Sequence, residues 1–184
     1  MKLRCYLFFL TVFVCLSGFH CKKDKNPAEQ LPPETHTGSG TFGCLINGSV
    51  FLPKGTPLAG PILSCGDQYI NGGYYFQLKA RQDIGSRTLT IALFTDSLEI
   101  LQGKVLRLSQ KNLSGYAYGQ HGHYELSSSP QLFYTDSINV GELKINFLDT
   151  INRVVSGTFW FDAMTSTGEK VQIREGRFDT KYSL

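Results

Sequence analysis

His121-Gly122-His123-Tyr124-Glu125 places two imidazoles and a carboxylate at alternate positions of the chain. On a β-strand alternate residues share one face, so His121, His123 and Glu125 could converge on a divalent metal. The surroundings, Tyr116–Gln120 and Ser127–Ser129, read as a glycine- and serine-bounded surface hairpin, and the competing reading is a solvated strand face. Arg177 and Asp179 form a second pair, two residues apart near the C-terminus. Side by side on a strand they either orient a substrate carboxylate or hydroxyl, or act as an ion pair that pins a terminal strand. The sequence carries no Gly-x-Ser-x-Gly elbow, phosphate loop or dinucleotide fingerprint. Asn71-Gly72-Gly73 lacks the Lys-Ser/Thr of a phosphate cradle and reads as a turn. No cofactor is expected.

The elements that must position these residues are strands. Phe42 to Ile46 and Ser49 to Leu52 flank Asn47-Gly48, a hairpin-turn dipeptide. Phe76, Leu78 and Ala80 alternate with polar residues, and Leu89, Ile91 and Leu93 do the same. Leu143, Ile145 and Phe147 lead into a turn over 149–152. Val155, Gly157, Phe159 and Phe161 then share one face, opposite Ser156, Thr158 and Trp160. Val171 and Ile173 begin the last strand, so 142–148, 153–162 and 170–179 form a meander. The only helical stretch the pattern allows is a short one over 96–101. About nine or ten strands, joined by turn chemistry, predict an all-β fold, an antiparallel sandwich or barrel with a lean toward a barrel-like sandwich.

The N-terminus reads as an export signal. Lys2 and Arg4 precede an apolar run from Tyr6 to Leu16, broken only by Thr11. That is about half the ~20 residues a membrane span requires, which favours a signal-peptide core. Leu16-Ser17-Gly18-Phe19-His20-Cys21 is similar to a bacterial lipoprotein signal, although His20 stands where a small residue is usual. Residues 1–20 are therefore expected to be the signal, and Cys21 the lipidated residue. Two acyl chains on one cysteine are enough for stable anchoring. Residues 22–41 are nearly all polar, proline or glycine and predict a flexible tether, with a reach of roughly 65 Å if fully extended. Residues 42–184 form a single β domain.

With the signal and Cys21 set aside, Cys44 and Cys65 remain. In an exported chain such a pair favours a disulfide, the alternative being two buried thiols that pack as small apolar residues. The 18 basic and 15 acidic side chains nearly balance, and more closely once Lys2 and Arg4 are removed. Without a basic cluster, nucleic acid is excluded as an expected partner.

Two stretches resemble a family of uncharacterised lipoproteins from the Bacteroidota. The first is Thr41-Phe42-Gly43-Cys44-Leu45-Ile46-Asn47-Gly48 with Phe51-Leu52-Pro53-Lys54-Gly55. The second is Val155-Ser156-Gly157-Thr158-Phe159-Trp160-Phe161 with Ile173-Arg174-Glu175-Gly176-Arg177-Phe178-Asp179. The resemblance implies a lipid-anchored β domain in the cell envelope, of the outer membrane in particular, and carries no catalytic residues. Asp-Ser/Thr followed by Ala, Ile, Leu, Val, Met or Thr also resembles the O-glycosylation sequon of exported proteins in these bacteria. It occurs at Asp96-Ser97-Leu98, Asp136-Ser137-Ile138 and Asp149-Thr150-Ile151, making Ser97, Ser137 and Thr150 candidate acceptors. Aspartate followed by a hydroxyl residue is also good turn chemistry in its own right.

The expected function is a membrane-anchored binding or structural domain whose ligand is a glycan, a protein or a small apolar molecule. Two alternatives stand beside it: a metal-dependent enzyme built on His121, His123 and Glu125, and a lipocalin-like carrier of a small apolar ligand.

Overall fold

The computed structural model describes residues 26–56 and 60–184. The signal and Cys21 lie outside the described residues. Eleven strands form one sheet: β1 Thr41–Ile46, β2 Ser49–Phe51, β3 Leu63–Ile70, β4 Gly73–Ile84, β5 Arg87–Asp96, β6 Val105–Leu108, β7 Tyr116–Glu125, β8 Gln131–Tyr134, β9 Gly141–Asp149, β10 Val154–Met164 and β11 Lys170–Lys181. Their order is β2-β1-β11-β10-β9-β6-β7-β5-β4-β3, with β8 bridging β7 and β10. The all-β expectation holds, with eleven strands in place of nine or ten. All ladders are antiparallel except the contact of β6 with β7 at Leu108 and Ala117, so the sheet is mixed.

The sheet curls until its edges meet. Beyond β11, Ser183 donates to the Cys65 carbonyl (3.1 Å) and accepts from the Asp67 amide (2.9 Å), tying the C-terminus to edge strand β3. Beyond β2, Lys54 exchanges backbone bonds with Arg81 and Asp83 of β4. Closure of this kind leaves little unpaired edge. The interior positions follow from the alternation: Phe76, Leu78 and Ala80 of β4, Ile91 and Leu93 of β5, and Val155, Phe159 and Phe161 of β10 are all buried. Phe42, Phe51, Phe133 and Phe178 join them in one apolar cluster. These rings occupy the space that a lipocalin-like carrier would need for its ligand.

Two hairpins turn on Asn-Gly, as their chemistry demands. Asn47 and Gly48 have φ of 48° and 82°, Asn71 and Gly72 of 50° and 88°, which is the left-handed pair that a two-residue turn requires. The stretch 96–101 holds no helix, because Ser97 adopts a φ of 52° directly after β5 and breaks the helical path. A register shift in β11 falls where Glu175 takes a φ of 54°. Gly176 follows, and a Cβ there would collide with the ring of Phe159.

The expected tether is different over 26–40. Pro27–Gln30 form a short 3-10 helix capped by the Asn26 side chain, and Leu31 is buried. From there the chain lies as a strap across the outside of β1, β11, β10 and β9. Gly43 lacks the Cβ that would strike Pro32 and Leu31, so the strap can lie close over β1. His36 bonds Ser156 through Nδ1 (2.6 Å) and stacks on Phe147. The composition of 22–41 made an ordered segment improbable on local grounds; its partners come from strands more than 100 residues away.

The expected Cys44–Cys65 disulfide is absent: both thiols are free. Cys44 sits in β1 opposite Phe51, and Cys65 in β3 opposite Leu78. Each fills a small apolar position in its own strand pair, and burial raises both thiol pKa values well above the ordinary range.

Candidate functional site

The expected metal ligands share a strand face, as their spacing predicted, but the face points inward. His121 of β7 is buried at 5% exposure, with Nδ1 3.0 Å from the Thr90 carbonyl and its ring against Phe133. Burial, partly offset by that hydrogen bond, lowers its pKa to about 4, so the imidazole is neutral at pH 7 and Nδ1 donates to Thr90. His123 has its Nε2 3.7 Å from Glu125, whose carboxylate also faces Arg87 at 3.8 Å. The row thus runs from core to rim, with one nitrogen of His121 committed to the backbone. Among the described residues, no three His, Cys, Asp or Glu side chains are grouped to hold a metal ion. The solvated-face reading fails too, since His121 is core.

Arg177 and Asp179 do not pair. The Arg177 guanidinium bonds the side chain and carbonyl of Glu175. Asp179, on the outer face of β11, is buried under the strap and accepts from Thr35 Oγ1 (2.6 Å), Thr37 N (2.8 Å), Thr37 Oγ1 (3.1 Å) and Gly38 N (2.7 Å). Burial pushes its pKa up, but these hydrogen bonds outweigh it and hold the carboxyl below the usual range. The pinning role is present, with the strap as partner in place of Arg177.

The three Asp-Ser/Thr sequences lie at or just past strand ends: Asp96 closes β5, Asp149 closes β9 and Asp136 follows β8. Asp136 accepts from the Ile138 and Asn139 amides and from Asn139 Nδ2, and Asp149 makes the same three bonds with Ile151 and Asn152. These are two copies of one Asx turn, with Ser137 and Thr150 exposed at the tips. Ser97 is half-buried and bonds the Tyr75 hydroxyl at 3.0 Å.

A cleft that the motifs did not indicate opens where three connections meet: the loop between β6 and β7, the ends of β8, and the turn between β10 and β11. Its volume is about 950 Å³. Tyr134, Leu132 and Met164 line it, together with Gln110, Asn112 and the 165–167 turn. Tyr134 stands directly across from Met164 where β8 meets β10. The walls are held by committed polar groups. Thr135 Oγ1 accepts from Gly119 N and donates to the Ser109 carbonyl, Gln131 donates to Glu169 at 3.0 Å, and Thr165 Oγ1 accepts from the Glu169 amide. Lys111 Nζ lies 3.6 Å from the centre of the Tyr134 ring, a cation–π contact over its face. Burial, and then proximity to Tyr124, raise the Tyr134 pKa, so the phenol is protonated at neutral pH. Tyr118 and the ring of Phe94, stacked on it at 4.8 Å, continue the aromatic strip outside the barrel across β7 and β5.

Four residues back from Met164 on the same outward row of β10, Trp160 is 37% exposed. Its Nε1 donates to Glu142 at 3.3 Å and Arg174 covers its ring, while Arg174 itself bonds Asp162 at 2.6 Å. These groups satisfy one another and leave a charged, self-paired surface. The cleft was missed in the sequence because its lining comes from loops with no periodicity. The one available signal was the hydroxyl-rich composition of Ser127–Ser129 and Thr165–Thr167. No helix among the described residues is long and apolar enough to cross a membrane. No protein-family model, curated protein or solved structure matches the chain.

Proposed function

We propose that this chain is a lipid-anchored β domain of the cell envelope, held through Cys21 and working as a binding module through the cleft beside Tyr134. The observation that carries the binding role is the cleft itself: about 950 Å³ of open space with an aromatic ring, an apolar floor and polar side chains around it. Such a combination of apolar surface with a few placed polar groups is the usual make-up of a ligand site. The barrel interior holds the core rings and His121 is drawn into that core, so the outside of the barrel is where a ligand has room. The anchor rests on the signal-like N-terminus and on the resemblance to Bacteroidota lipoproteins. Ser97, Ser137 and Thr150 remain the proposed glycan acceptors, with Ser137 and Thr150 the accessible ones.

The chain offers a site-specific reporter, because its methionines are Met1 and Met164, and Met164 lines the cleft. Protein labelled with ¹³C at the methionine methyl groups would be titrated with soluble envelope components: peptidoglycan fragments, lipopolysaccharide core and O-chain fragments, and outer-membrane protein extracts. A saturable shift of the Met164 resonance supports the binding role. If neither these components nor free oligosaccharides move it, the cleft is not a ligand site. The anchor is tested separately by incorporation of labelled fatty acid in the native host, which Cys21→Ser must abolish.

A further inference from the structure

Resting on the binding role above, we infer that the cleft takes a neutral oligosaccharide, with Tyr134 as the stacking platform and Lys111 as a displaceable cover on it. The exposed side chains of Gln110, Asn112, Ser129 and Ser166 all line the cleft. Amides and hydroxyls both donate and accept, which matches a ligand whose own hydroxyls do both. Charge points the same way. Lys111 and Asp136 are the ionisable groups of opposite sign in the lining, and the Asp136 carboxylate is taken up by the Ile138 amide and by Asn139. The lining therefore gives a net-cationic ligand no uncommitted carboxylate, and a net-anionic one a single ammonium that is already seated on the Tyr134 ring. The flat apolar face of a pyranose ring suits an aromatic ring, and the Tyr134 backbone is held in the sheet by pairing with Gln120 and Met164. In the unliganded protein that ring face is occupied by the Lys111 ammonium at 3.6 Å, so a stacking sugar must push the lysine aside.

The direction of the Lys111 effect separates this ligand class from an anionic one. The full-length chain labelled at Met164 would be titrated with neutral gluco-, xylo- and manno-oligosaccharides, and with oligogalacturonate and sulfated oligosaccharides as charged controls. The expected result is a saturable Met164 shift from a neutral series. Tyr134→Ala should weaken that affinity about tenfold, while Tyr134→Phe should preserve it within about twofold. Lys111→Ala should leave it equal or tighter. Unchanged Trp160 fluorescence in each variant shows that the barrel is still folded. The inference is overturned if only the anionic series binds and Lys111→Ala abolishes it, or if neutral binding ignores Tyr134→Ala. A Met164 shift from a non-saccharide envelope component alone would overturn this ligand class and leave the binding role standing; no shift from any probe would remove both.

Discussion

Replacing Asp179 with alanine should release the N-terminal strap while leaving the barrel folded. The carboxylate accepts four hydrogen bonds, two from backbone amides and two from threonine hydroxyls. Bonds to a charged group are worth roughly 1.5–3 kcal/mol each. Their sum overstates the loss, because a released strap can rehydrate its own amides. The expected destabilisation is therefore about 2–4 kcal/mol, or a fall of roughly 5–15 °C in Tm for a domain of this size. Asp179→Asn retains one acceptor oxygen and should lose less. The effect depends on pH with a definite sign. The folded-state pKa is depressed, so the contribution is complete above the ordinary aspartate value of about 4 and is lost as pH falls through the lower folded value. The assay is urea unfolding followed by Trp160 fluorescence, alongside digestion with a glutamate-specific protease, for which Glu29 and Glu34 are sites in the strap segment. Faster cleavage at Glu34 in Asp179→Ala, with the barrel intact, is the expected pattern. Cleavage no faster than wild type, with stability within about 0.5 kcal/mol, would refute the account of the strap as clasped by this one carboxylate.

Three further outcomes follow from the packing. His121 is neutral in the fold with its pKa near 4, so stability should decline as pH falls from about 6.5 toward 4, by roughly 3 kcal/mol, and His121→Leu should flatten that slope in a urea titration series. Cys44 and Cys65 should resist a thiol reagent in the native protein and react with it, without prior reduction, in urea; two fewer free thiols in urea would show that a disulfide forms after all. Gly119→Ala should cost about 1–3 kcal/mol by thermal unfolding, because its Cβ would press on the ring of Phe161 in the core.

The strands legible in the sequence were those whose alternation is long enough to see. β4, β5, β9 and β10 each carry three or more apolar residues at period two, β11 opens on Val171 and Ile173, and two of the tight hairpins turn on Asn-Gly. β6 and β8 span four residues each, too few to show a period, and so the count fell short. Strand order was not legible, because β6 inserts between β9 and β7 for reasons of packing that no local pattern records. Alternation placed His121, His123 and Glu125 on one face, but periodicity does not say which face is inside. The neighbours Ala117 and Gly119 on that same row, small enough to sit against the core, carried the answer. The strap escaped for a different reason: polar, proline-rich sequence lacks any drive to fold alone, and its order comes from distant partners, among them Asp179, Ser156 and Phe147.

That strap also sets an order of events. Thr37 and its acceptor are separated by 142 residues, nearly the full length of the domain. Asp179 lies in the last strand, so the clasp has nothing to close on until β11 has paired with β1 and β10. In a chain that emerges N-terminus first, the strap over 31–40 has no partner to lie against until the C-terminal strand is made. Completion of the C-terminal strand then draws the strap in, so that closing the barrel and ordering its N-terminal approach become a single step.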